Sequence, residues 1–166
     1  MVFKNFDYAK NAFPLQIVRH SIVEDGYNTL DASLVPLPGS HAGINECGLV
    51  VCYNYAFGLD KPCFNVPISI LCQEVLENCE TTKEAISFIK NSRRAGGALL
   101  LIADMEESLK SVELTSNHMN VRDDNGRGFI VNTNHYLTKE MNQWDIPHNA
   151  IYSKNTPWFC SRGKST

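Results

Sequence analysis

The hydrophobic pattern changes period twice along the chain. Residues 48–57, GLVVCYNYAF, are rich in β-branched and aromatic side chains and read as a strand. From Pro67 to Cys79 the apolar residues Ile68, Leu71, Cys72, Val75, Leu76 and Cys79 recur at three- and four-residue spacing, one face of a helix. Pro67 suits the first turn of that helix, where a missing N–H costs little. A second helix, over 82–92, is predicted from Thr81-Thr82-Lys83-Glu84, which has the capping-box form, and from Ala85, Ile86, Phe88 and Ile89 behind it. The linker between the two is short, so they form an αα-hairpin. After Gly96-Gly97 the strand pattern returns at 98–104 (ALLLIAD), 109–115 (LKSVELT) and 128–133 (GFIVNT). Met105-Glu106-Glu107 and Asp123-Asp124-Asn125-Gly126 supply the turns, the second a hairpin signal. Strands, a helix pair and strands again predict an α+β sandwich rather than a doubly wound parallel sheet. Residues 49–57 and 128–133 are expected in an antiparallel sheet, with helices 67–79 and 82–92 on one face.

Residues 14–24 alternate roughly and read as a further strand, and Pro36-Leu37-Pro38-Gly39-Ser40 is a loop. The last thirty residues are irregular. With 166 residues and no internal repeat, the chain fits one domain, 1–166. A net charge of −3 with scattered Lys and Arg gives no basic footprint for nucleic acid. No apolar run approaches the ~18–20 residues that span a bilayer, and the first residues show no signal-peptide pattern. The cysteines, at 47, 52, 63, 72, 79 and 160, show no zinc spacing and read as reduced and mostly buried, as in a cytoplasmic protein. GxGxxG and P-loop motifs are absent, so nucleotide binding has no support, and no cofactor or metal is expected.

Three polar segments stand out. They are Asn5-Phe6-Asp7-Tyr8, then Gly43-Ile44-Asn45-Glu46-Cys47-Gly48-Leu49 running into the strand with Asn54, then Asn132-Thr133-Asn134-His135 at the end of an apolar run. Polar clusters at strand ends are where scaffolds present reactive groups, although Asn, Asp and Gly there also simply make turns. Cys47 is the one cysteine in a Gly/Asn/Glu-rich turn, which allows a nucleophilic pair with His135.

Taken in order with Glu84-Ala85-Ile86, LLLIAD, VEL and TNH, these segments resemble the linear amide C–N hydrolases over about residues 3–137. The nearest type is the acyl-CoA:6-aminopenicillanic acid acyltransferase-like group, with choloylglycine hydrolases and penicillin V acylases as relatives. That resemblance implies an Ntn-hydrolase fold, two packed antiparallel sheets between helix layers. It also implies an N-terminal cysteine whose own α-amino group is the base, acting through a thioester acyl-enzyme on a small-molecule acyl amide or thioester. Asp7 is similar to the aspartate that holds the nucleophile's amino end. Lys4 stands where relatives often have Arg, a point charge in place of a planar fork. Asn54 and Asn134 resemble the two oxyanion-hole positions. Asn5, Asn45, Glu46 and His135 are motif residues that would support the site from around it or form turns. Asp7, Asn54 and Asn134 are therefore expected in one pocket.

The resemblance also implies a nucleophile before Asn5, where this sequence has only Met1-Val2-Phe3-Lys4. The expectation is a truncated or partial domain without the nucleophile segment and the C-terminal part. Such a chain would be inactive alone, either a non-catalytic remnant or a half-enzyme completed by a second chain carrying the cysteine.

Overall fold

The computed structural model describes residues 1–5, 10–60 and 64–146. Among them, seven strands form one sheet: β1 (Gln16–Ser21), β2 (Thr29–Leu34), β3 (Ala42–Asn45), β4 (Val50–Ala56), β5 (Gly97–Ala103), β6 (Leu109–Leu114) and β7 (Met119–Asp123). They lie side by side in chain order, every neighbour antiparallel. Two helices, α1 (Ile68–Asn78) and α2 (Thr82–Asn91), leave the sheet after β4 and return the chain to the adjacent position. The fold is α+β with the expected αα-hairpin. Of the expected two-sheet sandwich, the described residues contain one sheet and one helix layer.

Strand alternation sorts the side chains onto two faces. Tyr53, Leu100, Val112 and Val121 form one cross-strand row on the helix side, with Val51 and Ile102 in the next. These pack against Leu71, Cys72, Val75 and Leu76 of α1 and Ala85 and Ile89 of α2 to make the main core. Asn54, Leu99, Glu113 and Asn120 form the corresponding row on the opposite face. There Ala56 and Leu99 pack with Tyr136 and with Met141 of a short helix, α3 (Lys139–Asn142).

The helix starts follow the sequence signals. Pro67, read from the sequence into the first turn, stands one position earlier as the N-cap of α1. Thr81 Oγ1 accepts from Glu84 N at 3.2 Å, while Glu84 Oε2 accepts from Glu80 N at 2.8 Å, so the box closes one residue before the cap. Asp104, in the β5–β6 turn, accepts from Thr82 N at 2.8 Å and from Glu106 N and Ser108 N at 3.0 Å, which ties the start of α2 to the sheet. The Arg94 guanidinium is buried beyond the other end of α2, donating to the carbonyls of Ile89, Thr115 and His118.

Two expectations need correction. Residues 128–133 are not a strand. The partner of β6 is β7, whose sequence MNVRD alternates apolar and polar residues too briefly to stand out. The turn signal at 123–126 is real: Asp124 accepts from Gly126 N at 3.2 Å and Gly128 N at 2.9 Å. However, it leads out of β7 rather than into a hairpin, and Phe129 and Val131 are exposed. The strand read over 14–24 is the shorter β1, and β2 and β3 carry no strand signal in the sequence. In β2 the alternation is inverted, because Thr29, Asp31 and Ser33 are buried while Leu30 is exposed. Asp31 can face inward because Arg19 Nε donates to it at 3.1 Å.

Of the cysteines, Cys52, Cys72 and Cys79 are buried free thiols and Cys47 is half-buried, while Cys63 and Cys160 lie outside the described residues. Among the described residues no helix is long and apolar enough to cross a membrane.

The Asp104 junction sets a pH dependence. Burial works against its ionisation, but the bonds from Thr82, Ser108 and Glu106 outweigh it and hold the carboxyl below its ordinary value. A depressed folded pKa contributes stability that is present above the unfolded value of about 3.9 and lost as pH falls through the folded value. Asp104→Asn is expected to cost about 1–2 kcal/mol at pH 7. It should also flatten the loss of melting temperature below about pH 4, as read by melts across that range.

Candidate active site

Three of the residues singled out in the sequence meet on positions 53–55 of β4. Asn54 Nδ2 donates to Thr133 O at 3.2 Å, and Asn134 Nδ2 donates to Tyr55 O at 2.7 Å. Residues 129–138 thus run across the sheet as a strap, held against β4 by two reciprocal side-chain-to-carbonyl bonds. Each amide nitrogen carries two N–H groups and spends one here. Lys4 Nζ donates to His41 O at 2.9 Å and also to Tyr53 O. Burial pushes its pKa down, partly offset by the thiols of Cys52 and Cys72. His41, stacked with Tyr53, is likewise lowered by burial and then by the Lys4 charge. Asp7 lies outside the described residues.

The other motif residues divide. His135 is next to Asn134 in the strap, its Nδ1 3.8 Å from Asp145 Oδ2. Asn5 is exposed. Asn45 and Glu46 serve turns at the far end of β4. Asn45 is buried, donating to Leu76 O at 2.9 Å and Cys79 O at 2.7 Å and accepting from Cys47 N and Leu49 N, so it joins the β3–β4 turn to the end of α1. Glu46 accepts from Asn28 N and Asn28 Nδ2. Gly48 completes the turn at a positive φ, where a Cβ would come within 2.4 Å of Met105 Cγ.

Cys47 and His135 cannot act as a pair. Cys47 precedes β4, whereas the strap with His135 is bonded to residues 54 and 55 near its other end. Burial, then the carboxylates of Glu80, Glu46 and Glu84, raise the Cys47 thiol pKa, the reverse of what a nucleophile needs.

What the sequence reading missed is how the strap is held. Glu113 is fully buried on the strap face of β6. It accepts from Leu137 N at 3.0 Å, Thr138 N at 3.1 Å and Thr138 Oγ1 at 2.8 Å. Arg122 donates to Val131 O at 2.9 Å and Asn132 Oδ1 at 2.8 Å, and its Nε lies 3.6 Å from Glu113 Oε1. Tyr136 donates to Leu114 O at 2.5 Å and fits because residue 97 is glycine, where a Cβ would lie 2.4 Å from the Tyr136 hydroxyl. The one available signal was a glutamate at an inward position of the apolar run containing VEL.

The family model described as acyl-coenzyme A:6-aminopenicillanic acid acyl-transferase matches residues 1–154. No curated protein sequence matches the chain. Among solved structures, penicillin V acylase from Agrobacterium tumefaciens is 20% identical with a TM-score of 0.49, over 58% of this chain and 33% of that one. A variant of conjugated bile acid hydrolase from Clostridium perfringens is 20% identical with a TM-score of 0.46, over 60% of this chain and 36% of that one. The Caenorhabditis elegans ortholog of N-acylethanolamine-hydrolyzing acid amidase is 15% identical with a TM-score of 0.56, over 72% of this chain and 57% of that one, a likeness of fold. The chain spans about a third of the first two structures and just over half of the third.

The Cys47 environment yields a direct check. Its alkylation by iodoacetamide should still be accelerating above the ordinary thiol pKa of about 8.5. His135→Ala should leave that profile unchanged. A midpoint near neutrality that moves with His135 would restore the pair.

Proposed function

Because the chain belongs to the acyl-coenzyme A:6-aminopenicillanic acid acyl-transferase family, we propose that it supplies the oxyanion-stabilising part of a site for acyl transfer from a small acylated amine or thioester. The observation that carries the reading is the meeting of Asn54 and Asn134 across β4 and the strap. Neutral N–H donors held near one point suit the negative charge that develops on a carbonyl oxygen under attack. Both are anchored through one N–H, which leaves the second for a substrate.

In this reading the nucleophile is the thiol of a terminal cysteine outside this sequence, with its own α-amine as base. The amine takes the thiol proton, and sulfur adds to the acyl carbonyl. The oxyanion is held by Asn54 and Asn134. Collapse breaks the C–N bond of an amide substrate or the C–S bond of a thioester one, the proton passes to the departing amine or thiol, and a thioester to the enzyme remains. Water or a second amine then attacks the thioester and releases the thiol. Asp7 orients the terminal amine, and Lys4 sets a positive charge beside β4 that favours the thiolate.

A second reading is a half-enzyme or non-catalytic remnant that binds a partner chain. It is favoured by the face of β1–β3 turned away from the helices, where Val18 is 75%, Leu30 49% and Ile44 41% exposed. Contiguous apolar side chains on one sheet face mark a surface that another element covers.

The test is turnover of acyl amides and thioesters by this chain with and without a supplied segment or chain bearing a terminal cysteine. Turnover is expected only with the cysteine present, and Asn54→Ala or Asn134→Ala should then lower kcat by about 10²–10³. Turnover by the chain alone that Cys47→Ala or Cys52→Ala abolishes would overturn the proposal.

A further inference from the structure

Glu113 takes no part in the chemistry above, yet it is a carboxylate with no solvent exposure in the sheet. A buried carboxylate is costly unless its oxygens are well bonded. Here they are: three donors reach it, all from Leu137 and Thr138. Those residues follow Asn134 in the strap. Arg122, whose Nε lies 3.6 Å from Glu113 Oε1, grips the residues that precede it, Val131 and Asn132. Ser111 reinforces that hold by donating to Asn132 Oδ1 at 2.7 Å. The two charged side chains thus bracket Asn134 on both sides, and each is bonded to the strap's main chain as well as to side chains.

We propose that Glu113 and Arg122 are a positioning pair that fixes the Asn134 amide against β4. The proposal rests on the oxyanion reading for Asn134 and goes beyond it by identifying what holds that donor. Neither residue would touch substrate. Asn54 and Glu113 share one cross-strand row, two strands apart, so the register of β4, β5 and β6 places the donor and the anchor on the same face. An oxyanion donor is effective only where it is pre-set, because a donor that must reorganise during reaction loses much of its advantage.

Proton–nitrogen correlation spectra of the labelled chain test this without turnover. The Asn134 side-chain amide reports the strap. The Asn45 side-chain amide, buried against α1 at the far end of β4, is the internal control. Glu113→Gln is expected to speed exchange of the Asn134 side-chain protons roughly threefold to tenfold with Asn45 unchanged. A purely structural role would move both signals together. If Glu113→Gln does not fold, Thr138→Val decides, since it deletes only the hydroxyl bond to Glu113, and Thr138 makes no side-chain cap to α3. Unchanged Asn134 exchange in the variants that fold overturns the pair. Failure of the oxyanion reading appears elsewhere, as undiminished turnover by Asn134→Ala in the cysteine-completed enzyme.

Discussion

The pairing of β4 with β5 is the constraint on which the remaining structure depends. Seven positions pair, from Val50 with Ala103 to Ala56 with Gly97, although forty residues of chain lie between the strands. A slip of one residue would send every side chain of β5 to the opposite face. Leu100 and Ile102 would leave the core under α1 and α2, and Leu99 would leave the strap face. The helix pair makes the register affordable by burying Leu71, Cys72, Val75, Leu76 and Ile89 against it. Fully burying side chains of this size is worth about 1.5–3 kcal/mol each, far more than any single hydrogen bond in the sheet.

The same register produces two chemically different faces. The helix side is closed mainly by apolar packing, with the buried Asp31 of β2 held by Arg19. The strap side has Asn54, Glu113 and Asn120 in one row and Ser111 and Arg122 in the next, and it is covered by a segment without regular structure. An irregular segment carries main-chain N–H and C=O groups that no ladder satisfies. Arg122 and Asn54 donate to the carbonyls of Val131 and Thr133, and Glu113 accepts from the N–H groups of Leu137 and Thr138. Polar side chains inside the sheet therefore act as the pairing partner that a further strand would otherwise provide.

Membership of the acyl-transferase family and this geometry bear on each other. A segment held by side chains rather than by a ladder can turn its own side-chain amides to the sheet, as Asn134 does to Tyr55 O. Lys4 approaches from the other side of β4 to the carbonyls of His41 and Tyr53. Residues 53–55 thereby become a point where a cation and two amide donors gather on one rigid strand, the kind of element on which reactive geometry is held most tightly.

The sequence by itself determined the elements whose periodicity is strong and local. The two helices, the cap at Thr81, and the strands over Val50–Ala56, Gly97–Ala103 and Leu109–Leu114 were all legible, because side-chain period and capping chemistry are properties of neighbouring residues. The order of short motifs also pointed to the family. Strand β2 was hidden because Asp31 faces inward on the strength of Arg19, twelve residues away, a partner that no local pattern reveals. The run 128–133 looked like a strand from its composition, but β6 had already paired with β7, and a sheet edge accepts one neighbour. Asn45 and Asn134 were equally plausible as motif residues. Only the tertiary structure separated them, burying one under the end of α1 and setting the other against β4. Glu113 was a charged residue in an apolar run until the strap arrived over it, and its role is fixed by contacts across more than twenty residues of chain. Such contacts depend on register and on what covers a face, and both are decided by the whole fold rather than by the residues nearby.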